Sequence, residues 1–304
     1  MHTPEFTIDA VSLATRIEEF IRVKVDDFQR EGAVVGLSGG IDSAVVAALA
    51  ARALGPEKVL ALLMPDRDSA RSSKRDALKL AQGLEIRHKT VGLTKFLLLM
   101  GIYWKLPLWL LGPRSFQAKL VHRYYDSFVR EWGESPFAAI MVGTKGLPGP
   151  LVNQAVAYHR VKGRLRAILL YYYAELENLL VLGTCNKTEK AIGFFFKYGD
   201  AAADVAPLES LYKTQVRQLA AFLEIPDEII TKPPSPDLLP GITDEYAIGL
   251  SYETLDRILW RLEAGMSTEE IAVALGLELD AVDYVRDLTR RSVHMRAQPE
   301  VPSL

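Results

Sequence analysis

The stretch "AVVGLSGGIDSAVVAALAARAL", residues 33–54, constrains the fold of this chain more than any other. A short apolar run leads into a loop of glycine and serine, and a helical segment apolar nearly all round follows. Neither element has a polar face to show to water, so both belong inside a layered α/β structure. The alternation continues along the chain. "VLALLM" (59–64) predicts a second buried strand, followed by a helix that Asp68 or Ser69 would cap, and "IRHKTV" (86–91) predicts a third strand. "LLVLGT" (179–184) predicts another strand, with a helix starting near Thr188. Strands separated by helices with short connections make a doubly wound parallel sheet flanked by helices, of Rossmann-like type.

The remaining segments fit around that core. Residues 8–30 predict an opening helix with Leu13, Ile17, Phe20, Ile21 and Phe28 on one face. "VKGRLRAILLYYYAELEN" and "YKTQVRQLAAFL" predict further helices, the prolines of "KPPSPDLLPG" (232–241) impose a stiff loop, and the part from 251 to 304 is largely helical. Residues 94–150 break the rhythm. Within them "FLLLMGIYWKLPLWLLG" (96–112) is shorter than a spanning helix, carries Lys105 and is interrupted by Pro107, so it predicts a buried core element or a dimer surface, with membrane contact or a mobile flap as the lesser alternative. With 304 residues, 49% of them hydrophobic, the chain has material for a full core. A net charge of −2 provides no global attraction for nucleic acid. One cysteine, Cys185, excludes an intramolecular disulfide and suits a reducing, cytoplasmic compartment.

In an open parallel sheet, ligands bind beyond the carboxyl ends of the strands, where Gly36, Leu37, Ser38, Gly39, Gly40, Ile41, Asp42 and Ser43 stand. Glycines let the backbone approach a ligand closely, and the following helix presents unpaired N–H groups that favour phosphate. Asp42 would repel that anion unless a divalent cation lay between them, so the motif calls for magnesium. No G-x-x-x-x-G-K-[ST] and no G-x-G-x-x-G after the strand occurs, which removes support from P-loop ATPases and dinucleotide oxidoreductases.

"SGGIDS" resembles the pyrophosphate-binding loop of the N-type ATP pyrophosphatases, whose fold is the adenine nucleotide alpha-hydrolase type. Downstream, "LGTCNKTEKAIGFFFKYGDAAADVAPLESLYKTQVRQLA", "KPPSPDL" and "TDEYAIGLSYETLD" are similar to the NAD synthetases, and "VKGRLRAILLYYYA" resembles their substrate helix. The resemblance covers residues 8–92 and 158–298 and implies one synthetase domain over 1–304, with 94–150 an atypical apolar segment. It implies that magnesium-ATP adenylates the nicotinate carboxylate of deamido-NAD and that ammonia then displaces AMP. By this pattern residues 36–43, Thr184, Lys213 and Ser235 contact ATP, Asp42 and Glu189 hold the metal, and Asp42 and Lys213 serve catalysis. Arg164, Lys197, Asp204 and His294 match contacts to deamido-NAD.

The chain departs from the pattern at His159 and Arg160, where the family usually has Gly-Asn, and at Met295, where it usually has Lys. The resemblance also implies a homodimer. Glutamine-dependent relatives carry an N-terminal domain with its own cysteine; here the first strand begins near residue 33 and the cysteine lies elsewhere. Free ammonia is therefore the expected donor, unless a separate glutaminase subunit supplies it.

Rival readings are another ATP pyrophosphatase, such as a GMP synthetase half or a tRNA-modifying adenylase, and a homologue that keeps the fold without turnover. A different class enters through "STEEIAVALGLELDAVDYVRDL", which is patterned like a DNA-binding helix-turn-helix with Ile271, Ala272, Leu275, Val282 and Val285 as its core. From Ser251 to Leu288, nine acidic residues stand against three basic ones, a balance that opposes phosphate contact.

Overall fold

A computed structural model describes residues 6–105, 113–141, 143, 145–147, 149–235 and 241–302. Four parallel strands, β1 (Gly32–Gly36), β2 (Val59–Leu63), β3 (Arg87–Thr90) and β4 (Leu179–Leu182), lie side by side in the order β3-β2-β1-β4. The helices are α1 (Ala10–Asp27), α2 (Ile41–Leu54), α3 (Arg71–Gly83), α4 (Thr94–Leu99) and α5 (Ile102–Lys105). Next come α6 (Arg114–Trp132), α7 (Pro136–Ala139), α8 (Gly149–Glu177), α9 (Lys187–Ile192) and α10 (Lys213–Phe222). The chain closes with α11 (Asp227–Ile230), α12 (Asp244–Ile248), α13 (Tyr252–Glu263), α14 (Thr268–Leu275), α15 (Leu279–Arg291) and α16 (Val293–Arg296).

Successive strand residues point to opposite faces, and both faces are covered. Ala33, Val35, Ala61, Leu63, Leu180 and Leu182 pack with α1, α2, α3 and α10. Val34, Leu60, Leu62, Leu179 and Val181 pack with α4, α5 and α8 on the other side. This double cover explains why β1, β2 and β4 read as continuous apolar runs, and it is the doubly wound sheet that the sequence predicts. β3 is different. All four of its residues are exposed, and as an edge strand it carries Lys89, a side chain that discourages pairing with other chains.

Several local expectations change. The buried face of α1 is Ala14, Ile17, Ile21 and Val25, while Phe20 and Phe28 turn outward. α3 starts at Arg71 without a side-chain cap, because Asp68 and Ser69 are engaged elsewhere. The Ser69 hydroxyl accepts the Asp66 N–H at 3.1 Å. Asp68 accepts from Lys162 Nζ at 2.7 Å and from the Tyr158 hydroxyl. The long helix α8 begins at Gly149, twelve residues before the predicted segment starts at Val161. In the apolar stretch 96–112, Leu97 and Tyr103 are buried against the sheet, whereas Leu99 and Trp104 are 89% and 66% exposed. Residues 106–112 and 236–240, including Pro107, Trp109 and part of the proline loop, lie outside the described residues. Among the described residues no helix is long and apolar enough to cross a membrane.

α13, α14 and α15 enclose Ile271, Ala272, Val282 and Val285, as the helix-turn-helix pattern predicts, but the same core takes in Ile192, Phe195 and Tyr212. The bundle therefore braces α9 and the start of α10.

α8 is clamped to the loop after β2 by a buried charge cluster. Lys162, fully buried, reaches Asp68 at 2.7 Å and Asp66 at 3.4 Å, and Arg166 reaches Asp66 at 3.5 Å. Lys162→Ala should cost about 3–5 kcal/mol, because it removes the buried cation between two carboxylates and leaves them only the partly exposed Arg166 and Arg67. Lys162→Met should cost no less, since it restores volume but not charge. Equilibrium denaturation of both variants measures this.

Candidate active site

The loop between β1 and α2 is shaped by its own hydroxyls. Ser43 donates to the Gly40 carbonyl at 2.9 Å and accepts the Ser38 N–H at 3.2 Å. Ser38 Oγ stands 3.0 Å from Ser43 Oγ and accepts the Gly40 N–H at 3.2 Å. Gly39 has φ of +80°, and a Cβ there would lie 2.3 Å from the Ser73 carbonyl oxygen. Only glycine satisfies both conditions. With the hydroxyls turned inward, the loop and the first turn of α2 present backbone to the cavity beside them.

Asp42, in the first turn of α2, meets two residues that are distant in sequence. Its Oδ1 accepts from Asn186 Nδ2 at 2.9 Å, and its Oδ2 from Lys213 Nζ at 2.6 Å. Lys213 Nζ also donates to Glu189 Oε1 at 2.9 Å. Glu189 completes a capping box with Asn186 at the start of α9, so it caps its helix and also faces the lysine. Lys213 is 1% exposed. Burial pulls its ammonium down, but Asp42, Glu189 and Asp244 together outweigh that and hold it above the usual lysine range. Burial pushes the Glu189 carboxyl up against the pull of Lys213, and Asp42 and Asp244 add to the push. Burial likewise raises Asp244 to about 6. Two carboxylates thus share one ammonium, and a third, Asp244, acts on it from beyond ion-pair distance.

A second buried carboxylate fixes the lysine's backbone. Lys213 N–H donates to Thr188 Oγ1 at 2.9 Å, whose hydroxyl donates to Asp256 Oδ1 at 2.5 Å. Asp256 Oδ2 accepts the Thr214 N–H at 2.9 Å. The cluster opens onto a cavity of about 900 Å³ that extends from the loop to α6 and α8.

Residues 36–42, Thr184, Glu189, Lys213 and Ser235 all line this cavity. Ser43 lies behind the loop, holding it. Arg164, Lys197, Asp204 and His294 do not line it. Arg164 is exposed on α8. Lys197 Nζ donates to the His294 and Ala297 carbonyls, both at 2.9 Å. Asp204 accepts the Val181 N–H at 2.9 Å and the Tyr171 hydroxyl at 3.2 Å. His294 is exposed, with Nδ1 2.9 Å from the Arg291 carbonyl oxygen. By contrast His159, Arg160 and Met295, the points of departure from the family pattern, all line the cavity. Asp244 does so too, and sequence reasoning missed it: "ITDEYAIG" announces a capped helix, not a carboxylate beside a lysine thirty-one positions earlier.

Among the described residues no group of three or more His, Cys, Asp or Glu side chains could hold a metal ion by itself. Magnesium does not need such a cage, since it retains waters and takes phosphate oxygens beside one or two carboxylates. Asp42 and Glu189, both on the cavity wall and bridged by one ammonium, are the two carboxylates that stand beside the loop.

A parallel sheet with a glycine loop and a helix N-terminus at its carboxyl edge defines a nucleotide-binding α/β protein of the Rossmann-like class. The NAD synthase family model matches residues 13–102 and 144–299. An NH(3)-dependent NAD(+) synthetase of Coprothermobacter proteolyticus is 42% identical over 86% of this chain and 88% of its own length. The structure of an NMN synthetase from Francisella tularensis is 28% identical with a TM-score of 0.71, covering 98% of this chain and 100% of that one. An NH3-dependent NAD synthetase from Campylobacter jejuni is 27% identical with a TM-score of 0.67, with the same coverage. The chain belongs to the NAD synthase family.

Gly39→Ala should weaken ATP binding roughly 5- to 150-fold in a folded protein, because φ of +80° and the Ser73 carbonyl force the loop to move. The strain is about 1–3 kcal/mol. Calorimetric titration with ATP, alongside circular dichroism, tests both halves of this expectation.

Proposed function

We propose that this protein amidates deamido-NAD to NAD at the expense of ATP, with ammonia as nitrogen donor and AMP and pyrophosphate as further products. The observation that carries this is the family match on both sides of the 103–143 gap, with the Asp42–Lys213–Glu189 cluster formed from matched segments. In the first half-reaction a nicotinate oxygen attacks the α-phosphorus of ATP, and the bond to pyrophosphate breaks. In the second, ammonia attacks the acyl carbon, AMP leaves, and one proton is lost to give the amide.

Within residues 36–43 the N–H groups not already bonded inside the loop or to β2, at Gly39 and in the first turn of α2, would face the phosphates, with Thr184 and Ser235 as further hydroxyl contacts. Lys213 provides a fixed positive charge where negative charge gathers in the first step. Pre-oriented charge of this kind needs no reorganisation as the reaction proceeds. Asp42 and Glu189 would hold magnesium, which supplies charge neutralisation on the phosphates when bound.

Arg164, Lys197, Asp204 and His294 are assigned to deamido-NAD by their match to the family pattern alone. A homodimer is the natural setting for Arg164. It lies one turn before Ile168, Tyr172 and Leu176, an exposed apolar row on α8, and Leu98, Leu99, Met100 and Trp104 add further exposed apolar surface. Covering these surfaces with a second copy would bring Arg164 to a shared cleft.

Supplied with ATP, ammonia and deamido-NAD, the protein should form NAD and AMP in equal amounts. ADP instead of AMP, or no NAD, removes the proposal. The NMN synthetase neighbour adds one arm: the mononucleotide counterpart offered as second substrate should be the poorer one. Glutamine in place of ammonia should give no NAD without a partner subunit. Asp42→Ala should lower pyrophosphate release at least about 100-fold, as loss of a charge-positioning group does, while the far-ultraviolet circular dichroism stays that of the parent.

A further inference from the structure

Lys213 Nζ stands 2.6 Å from Asp42 and 2.9 Å from Glu189, and a third neighbour of the ammonium is an aromatic ring. The ring centre of Tyr252 lies 4.9 Å from Nζ, and Tyr252 is fully buried at the start of α13. Its hydroxyl donates to Asp244 Oδ2 at 2.9 Å. Burial, with Asp244, Glu189 and Asp42 around it, pushes the phenol far above its usual range, so the hydroxyl remains a donor. One side chain thus meets both the ammonium and the carboxylate that is not paired with it.

Asp244 has little else to hold it. Its Oδ1 is buried without a hydrogen-bond partner, so among the described residues Tyr252 is the one donor its carboxylate has. Its own N–H donates to the Pro234 carbonyl at 2.9 Å, which fixes the backbone and leaves rotation of the side chain as the open movement. Burial raises the group to about 6 against the pull of Lys213, so at about pH 8 it is ionised. Lys213 is the cation that acts on it, yet the two stand beyond ion-pair distance. A buried carboxylate without donors is costly, and pairing with that ammonium would relieve it. The hydrogen bond to Tyr252 opposes this pull.

We propose that Tyr252 is a positioning residue: its hydroxyl holds Asp244 away from Lys213, which keeps the ammonium between Asp42 and Glu189 beside the phosphate loop. Without the hydroxyl, Asp244 turns to the ammonium and draws it from Asp42, so the charge that meets the ATP phosphates is misplaced. This rests on the reading of Lys213 as an ATP contact. Tyr252 touches no substrate and acts through two other side chains.

The test is a double-mutant cycle of Tyr252→Phe and Asp244→Asn, read as affinity for magnesium-ATP by calorimetry at about pH 8. Phenylalanine keeps the buried ring beside the ammonium and removes only the donor. In the parent, Tyr252→Phe should weaken ATP binding roughly tenfold or more, the size of one hydrogen bond to a charged group. In the Asp244→Asn background no charge is left to draw the ammonium away, and the same change should cost at most about threefold. Melting temperatures of the parent and the variants report on folding apart from binding. Equal losses in the two backgrounds overturn the proposal, because Tyr252 would then act by packing alone. Unchanged affinity in the Tyr252→Phe single variant also sinks it. If that single variant does not fold, recovery of the Asp244→Asn affinity in the double variant upholds the proposal, and lack of recovery removes it. A parent that binds ATP but forms no NAD counts against the reaction and leaves these affinities to decide Tyr252.

Discussion

The Lys213 ammonium, held at 2.6 Å from Asp42 and 2.9 Å from Glu189, is the contact on which the arrangement of this molecule depends. It joins the helix after β1, the helix after β4 and the first residue of α10, three pieces of chain that share no local signal. A lysine this deeply buried is tolerated only with carboxylates around it, and carboxylates this close are tolerated only with a cation between them. Each partner makes the burial of the others affordable. Asp244 adds a third acidic group near the same ammonium, and burial raises both it and Glu189.

That cluster needs rigid support, and the fold supplies it from two sides. On one side the C-terminal helices carry Asp256 beneath Thr188 and Thr214, so that the backbone of Lys213 is fixed by hydrogen bonds from α9 and α13. The helical arrangement that reads as a DNA-binding motif in sequence is used here as a brace. Its buried apolar residues meet α9, and its acidic surface residues face outward. On the other side α8 forms the long cavity wall, locked to the β2 loop by the ion cluster of Lys162 with Asp66 and Asp68. Gly163 on α8 permits the approach of Phe196, whose ring carbon would stand 2.7 Å from a Cβ at that position. The wall, the brace and the loop therefore meet around one space.

Much of this was legible in the sequence. The strands β1, β2 and β4 and the loop after β1 announce themselves, because a strand covered on both faces must be apolar throughout and a close backbone approach requires glycine. The α1 face was misjudged at Phe20 and Phe28, since large apolar residues on a helix surface mimic a buried stripe. The cap expected at Asp68 failed for a different reason: a carboxylate able to cap α3 was claimed by a lysine ninety-four residues away. Capping is a local preference of about 1 kcal/mol, and a buried ion pair outweighs it.

What the sequence determined by itself was the layered α/β class, the position of the glycine loop after β1 and the family to which the chain is similar, all of which rest on residues adjacent in the chain. Only the tertiary structure decided that Glu189 serves as both helix cap and lysine partner, that Asp244 stands near them, and that both ring nitrogens of His159 are left buried without a partner. It also decided that Lys197 is engaged by backbone carbonyls and Asp204 by a backbone N–H and the Tyr171 hydroxyl. Those facts depend on which polar groups remain unpaired after the chain has folded, and pairing across a core is set by three-dimensional packing, not by spacing along the chain.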